Sequence, residues 1–182
     1  MKIREVGVIL RLYPLGEHGA IICWCSQGHG IVRTAARSAL KPGSELAGVV
    51  DLFHECEFVY HPSSKSDLYA LDSAELISPR LALRGSLARL RLASYMAQLI
   101  LCTVEPGASG DCAWYNLISK ALDYVAQAAL RPEILLRFEQ RLAELHGLYA
   151  AGMDAHRALL HHFSHLPAGR EPLLAQLKAS AS

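Results

Sequence analysis

Apolar residues come in short runs broken by turn residues through roughly the first 78 positions and then settle into a helical period. The runs EVGVILRLYPL (5–15), AIICWCS (20–26) and IVRTAAR (31–37) are rich in branched residues and read as strands. Gly16-Glu17-His18-Gly19 and Gln27-Gly28-His29-Gly30 read as the turns that separate them. A fourth run, AGVVDLFHECEFVYH (47–61), is broken by His61-Pro62-Ser63-Ser64-Lys65-Ser66 before a fifth, DLYALDSAELI (67–77). Five strands in about 75 residues predict a small closed barrel. The OB-fold is the commonest architecture of that kind, with an SH3-like barrel as the competitor.

Ser78-Pro79 marks the expected boundary, because the residue before proline avoids the α region and proline suits a first helical turn. Beyond it, PRLALRGSLARLRLASYMAQLILCTV is apolar nearly all round after Arg91, which predicts a central, buried helix. EPGASGD (105–111) is a loop in which Ser109 or Asp111 can cap the next helix, CAWYNLISKALDYVAQAAL. Pro132 opens a third helix, in which Leu135, Phe138, Leu142 and Leu145 share an apolar face and Gly147 supplies the stop. MDAHRALLHHFSHL and REPLLAQLKAS add two shorter helices. The predicted class is α+β with two segregated parts: a five-stranded OB-fold barrel over 1–78 and an all-α helical bundle over 79–182.

Composition changes this picture little. The 182 residues are 52% hydrophobic with a mean hydropathy of +0.19, as in a compact globular chain. No apolar run approaches the ~20 residues that span a bilayer, and Glu5 interrupts what would be a signal's apolar core. The five cysteines are odd in number and irregularly spaced, which fits a reducing compartment. A cytoplasmic protein is expected, with no membrane partner.

Charge is more informative by halves. The whole chain carries +1, yet residues 1–78 are net −2 and the remainder net +3. None of the phosphate-loop, dinucleotide, nucleophile-elbow or zincin signatures occurs. Neither an enzyme nor a small-molecule substrate is expected. His161 and His165 stand four apart and would share a helical face, but no cysteine follows Cys112 to complete a zinc set. No metal or other cofactor is predicted.

The basic residues of the barrel remain: Arg11, Arg33, Arg37 and Lys41. Arg33 and Arg37 share a strand face if the strand runs that far. OB-folds hold single strands in a cationic groove with aromatic side chains under the bases, and Tyr13, Trp24, Phe53, Phe58, Tyr60 and Tyr69 are the aromatic candidates.

HGIVRTAARSALKPGSELAGVVDLF (29–53) is similar, without a gap, to a segment of the form HGKIRxVAKGARRPKSRLGGxLxPF that is typical of the RecO family of bacterial recombination mediators. The matches are Gly30, Arg33, Ala36, Ala39, Pro42, Ser44, Leu46, Gly48 and Phe53, with Arg37 and Lys41 as basic replacements. VILRLYPLGEHGAI resembles the family's first hairpin through Leu10, Arg11, Pro14, Gly16 and Glu17. Ala74-Glu75-Leu76, LARLRLASYMAQLI and LLRFEQRLAELHGL extend the likeness, in order, over about 150 residues.

The resemblance implies a protein without catalytic turnover that binds single- and double-stranded DNA and anneals complementary strands. It also implies work with RecR and with the C-terminal tail of single-strand-binding protein, to load RecA at gaps. DNA contacts then fall to Arg33, Arg37 and Lys41, with Arg11 on the neighbouring strand. Of seven cationic places in the family's loop, four hold Ile31, Leu40, Gly43 and Glu45 here, and the four-cysteine zinc module of many members is not matched. A second expectation follows from the missing cations: a scaffold that acts through protein partners. Arg80, Arg84 and Arg91, at spacings of 4 and 7, would line one side of the first helix beside Leu87 and receive an acidic, hydrophobic-ended peptide.

Overall fold

The computed structural model describes residues 2–63, 66–107 and 112–180. Strands β1 (Ile3–Leu15), β2 (Gly19–Ser26), β3 (Gly30–Ala36), β4 (Glu55–His61) and β5 (Leu68–Ser78) close into a barrel in the order β1-β2-β3-β5-β4. Every pairing is antiparallel except β3 with β5. This is the OB-fold, as the spacing of the strands predicts.

Alternation places Ile9, Ile22, Trp24, Val32, Phe58 and Tyr60 inside the barrel. Trp24 stacks on Phe58 at 4.1 Å, Phe58 on Tyr60 at 5.6 Å and Tyr60 on Tyr69 at 5.3 Å, an aromatic column through the core. The buried Trp24 Nε1 donates to Thr34 Oγ1 at 2.8 Å, so the indole loses no partner by entering the core.

β1 carries a bulge. Ile9 pairs with Trp24 and Arg11 with Cys23, which leaves Leu10 as the extra residue. Were Leu10 paired in regular alternation, Arg11 would follow Ile9 into the core; because Leu10 is bulged out of register, Arg11 faces out and Leu12 faces in.

The apolar run over 47–54 is not strand. Its residues form turns, with Gly48 at φ +79° and Phe53 at φ +66°, and β4 begins only at Glu55. Val50 and Phe53 are nonetheless buried, so the run folds as a plug rather than as a barrel edge. Phe53 N donates to Ile9 O at 2.8 Å and Ile9 N to His54 O at 2.9 Å, which fastens this segment to β1.

The chain divides into two compact units, Met1–Arg80 with Val104–Tyr115, and Leu81–Thr103 with Asn116–Ser182. Val104–Gly107 and Cys112–Tyr115 thus group with the barrel, which a single cut at 78/79 does not contain. Gly107 N donates to Ile31 O at 3.2 Å along β3.

In the helical unit a short 3₁₀ turn, Leu81–Gly85, precedes α1 (Leu87–Thr103), followed by α2 (Ala113–Gln127), α3 (Pro132–Leu145), α4 (Ala155–Phe163) and α5 (Arg170–Ser180). α1 buries Leu92, Ala93, Met96, Ala97, Leu99 and Ile100, as expected of a helix apolar nearly all round. Pro132 starts α3, and Gly147 ends it at φ +68°. There Gly147 N donates to Glu144 O and Leu148 N to Ala143 O, a Schellman closure. Leu135, Phe138 and Leu142 are buried, whereas Leu145 in the last turn is exposed. The capping role expected of Ser109 or Asp111 lies outside the described residues.

Candidate nucleic-acid interface

The outer face of β1, β2 and β3 is built by register. Arg11 stands opposite Cys23 and Cys23 opposite Arg33, so two guanidinium groups flank one thiol across three strands. Burial pushes the Cys23 thiol up, and Arg33 and Arg11 offset part of that rise. Two residues further along, Tyr13 pairs with Ile21 and Ile21 with Ala35, which makes a second row beside the first.

β3 stops at Ala36, so Arg33 and Arg37 do not share a strand face. Arg37 instead opens a series of turns: Lys41 N donates to Ser38 O at 3.1 Å and Ser44 N to Lys41 O at 3.0 Å. Leu40 N donates to His18 O at 2.9 Å and ties the loop to the β1–β2 hairpin. A Cβ on Gly19 would lie 2.3 Å from Leu15 O and 3.2 Å from both Ala36 O and Arg37 O; only glycine lets the hairpin and the loop approach so closely. Buried Ala39 anchors the loop from inside, and Arg37 and Lys41 are exposed on it.

The pairing of charges separates these cations from the rest of the barrel. Lys2 pairs with Asp72 at 2.9 Å, Arg4 with Glu57, and Arg80 with Glu55 at 3.0 Å. Among the described residues, Arg11, Arg33, Arg37 and Lys41 have no carboxylate within ion-pair distance. Carboxylates thus neutralise one set of basic side chains and leave the other set open to an external anion. Net charge conceals this distinction, since the acids that make residues 1–78 negative are in good part already engaged.

Of the six aromatic candidates, Trp24, Phe53, Phe58 and Tyr60 are buried and Tyr69 packs against the core. Tyr13 is exposed, 41% accessible on the outer face, and accepts a hydrogen bond from Arg11 Nη1 at 3.2 Å.

The partner strip expected along the first helix is corrected. Arg80 is buried, in the left-handed region at φ +43°, and donates to Phe53 O at 3.1 Å as well as to Glu55. Tyr115 Oη also donates to Glu55 Oε1, so Arg80 belongs to an internal network rather than to a docking surface. Arg84 lies in the 3₁₀ turn and Arg91 in α1, so the spacing of 4 and 7 does not run along one helix. Leu87 is 60% exposed at the start of α1. Leu87 and Arg91 border a cavity of about 510 Å³ between α1 and α5, where Arg91 Nη1 donates to Gln176 Oε1 at 3.0 Å.

His161 lies in α4, but Ser164 at φ +60° ends the helix before His165, so the two do not share a face. Among the described residues no group of three or more metal-ligating side chains comes together. No described helix is long and apolar enough to cross a membrane.

Sequence reasoning missed the Glu55–Arg80–Tyr115 network, because its members are 25 and 35 residues apart with no local pattern. The bulge left little local signal, because Leu10 ends a continuous apolar run, Val6-Gly7-Val8-Ile9-Leu10, in which no single position stands out.

Comparison with known proteins agrees with the fold. The family described as recombination protein O, N terminal, matches residues 1–80. The DNA repair protein RecO of Anaeromyxobacter sp. (strain K) is 30% identical over 152 residues, 84% of this chain and 58% of that protein. The RecO protein of Syntrophotalea carbinolica is 30% identical over 141 residues, 77% of this chain and 54% of its own length. That of Synechococcus elongatus is 33% identical over 94 residues, 52% of this chain and 35% of its own. The chain therefore spans less than three-fifths of the length of these curated relatives. With a barrel of OB topology and these relatives along most of its length, residues 1–80 match the N-terminal family of recombination protein O, and the chain is similar to RecO DNA repair proteins.

Proposed function

We propose that this protein is a DNA-binding recombination mediator of the RecO type. It binds and anneals single-stranded DNA, also engages duplex, and helps RecR load RecA at gaps coated by single-strand-binding protein. The observation that carries this reading is the set of four barrel cations left without carboxylate partners while the other described ones are paired. Arg33, Arg37 and Lys41 position backbone phosphates, and Arg11 adds a fourth, weaker contact from the adjoining strand. A lone loop cation gains little by sitting near another, so an unpaired group of this kind is supported best by an anion that arrives from outside.

Fluorescence anisotropy with a labelled single strand, from low to physiological salt, tests the reading. Three phosphate contacts give a slope of log affinity against log salt of about −2, at ~0.7 per contact. Replacing Arg37 and Lys41 with Glu removes two contacts, adds repulsion and abolishes annealing. Wild-type annealing in that double variant would overturn the assignment.

A second reading, a scaffold acting through protein partners, is favoured by the cavity between α1 and α5. Exposed Leu87 offers it an apolar edge and Arg91 a cation, which suits an acidic peptide with a hydrophobic end such as the tail of single-strand-binding protein. Titration with that peptide, followed by Leu87→Asp, separates this reading from DNA binding: loss of peptide binding with DNA binding intact favours it.

A further inference from the structure

We propose that Tyr13 is the base-stacking platform of a single-strand path across the outer face of β1, β2 and β3. The inference rests on the phosphate-binding reading above and adds to it the group that meets a base. Three observations lead to Tyr13 and to no other aromatic of the barrel.

The first is exposure. The stacked column of Trp24, Phe58, Tyr60 and Tyr69 is committed to the core, and Phe53 is 3% accessible. Tyr13 keeps 41% of its surface in solvent although it stands within a strand.

The second is register. The bulge at Leu10 turns Arg11 and Tyr13 together onto the outer face, one row apart. Arg11 lies level with Arg33, two strand spacings or about 10 Å away. Tyr13 lies level with Ile21 and Ala35, so it is the aromatic side chain of its row on β1, β2 and β3. Cations and aromatic thus stand in adjacent rows, the arrangement in which a backbone follows the charges and a base turns onto the ring.

The third is preorganisation. Arg11 Nη1 donates to Tyr13 Oη at 3.2 Å, and the guanidinium carbon lies 5.8 Å from the ring centroid. This holds the ring in place before a strand arrives and keeps a positive charge at its edge. A surface tyrosine with no such neighbour would lose more side-chain freedom on stacking.

The test compares wild type, Tyr13→Ala and Tyr13→Phe in binding fluorescein-labelled oligothymidylate, an abasic oligomer of equal length, and a duplex. Tyr13→Ala is expected to weaken oligothymidylate binding roughly 5- to 150-fold, the range of one base–aromatic stack. The salt slope stays unchanged, because the phosphate contacts remain. Tyr13→Phe keeps the ring and stays within about twofold of wild type. The abasic oligomer and the duplex, which offer no free base, bind wild type and Tyr13→Ala alike.

Wild-type affinity of Tyr13→Ala for oligothymidylate overturns the proposal while leaving the cation reading in place. Equal losses in Tyr13→Phe and Tyr13→Ala also overturn it, since the hydroxyl's hold on Arg11 would then be the cause. Failure of wild-type protein to bind any oligomer, even at low salt, removes both readings together. The Phe variant and the abasic probe keep the result independent of any loss of folding in the Ala variant.

Discussion

Arg80 Nη2 donates to Glu55 Oε2 at 3.0 Å, with the two side chains 2% and 11% accessible, and this pair closes the barrel at the point where the chain leaves β5. The same carboxylate receives Tyr115 Oη, so one buried anion serves two donors from distant parts of the sequence. A buried ion pair is a weak source of net stability but a costly one to half-remove. Arg80→Ala is expected to destabilise the barrel by about 3–5 kcal/mol, read as a lower urea midpoint. Arg80→Met combined with Glu55→Gln recovers a good part of that loss, because no unpaired charge is left behind.

Gly19 sets a second prediction, which joins fold and site. Adding a Cβ brings it to 2.3 Å from Leu15 O, a backbone atom that cannot swing away. Gly19→Ala therefore opens the hairpin and shifts the loop that carries Arg37 and Lys41. A cost of about 1–3 kcal/mol is expected, with weaker DNA binding at unchanged charge. Normal stability and normal affinity together would show that the loop does not depend on this approach.

In the helical unit, Glu139 is 1% accessible and receives Arg170 Nε and Nη2 in two parallel hydrogen bonds of 2.8 Å, with His156 Nδ1 3.2 Å away. The carboxylate raises the Arg170 guanidinium above its ordinary value. Lysine keeps the charge but loses the fork that matches a carboxylate. Arg170→Lys should cost about 1–2 kcal/mol and Glu139→Ala about 3–5 kcal/mol, measured by thermal or urea unfolding of the full chain.

His146 predicts a pH dependence. Burial, and to a lesser degree His162, lowers it from the usual 6.5 to about 4. Between those values the unfolded chain binds more protons than the folded one, so stability rises with pH. The contribution is complete above pH 6.5 and is lost as the pH falls towards about 4. After allowance for its partial solvent exposure, a loss on the order of 1–2 kcal/mol is expected across that window. His146→Phe, which preserves the edge contact to Phe163, flattens the profile; an unchanged slope would assign the effect to another group.

Strands and helices were legible where one periodicity ruled a long stretch. β3, α3 and α5 follow their alternation or helical spacing, β2 is an apolar run bounded by glycine turns, and the glycine at 147 closes α3 as its position suggests. The reading failed where tertiary contacts outrank local pattern. Residues 47–54 look like strand because they are apolar, but their apolar side chains are needed to fill the end of the barrel, and left-handed Gly48 and Phe53 break the extension. Arg80 looked like the start of a helix because Pro79 precedes it. Its side chain is instead spent on Glu55, an acid that no sequence spacing connects to it. The four site cations were visible as residue types, whereas their freedom from acids was not. That freedom depends on which carboxylates lie across the strands, and only register decides it.

The bulge at Leu10 has one more effect, on how β1 can vary. In its first half odd-numbered positions point inward: a Cβ on Gly7 would meet the Phe58 ring at 2.9 Å, and Ile9 is wholly enclosed. In its second half the parity reverses, so Leu12 turns in while Arg11 and Tyr13 turn out. One strand is thus written in two reading frames joined at a single residue. Flattening the bulge, with Leu10 taken into regular pairing, would exchange inside for outside over half the strand's length and bring a guanidinium and a phenol into the core, whereas deleting Leu10 would leave Arg11, Leu12 and Tyr13 on the faces they hold now.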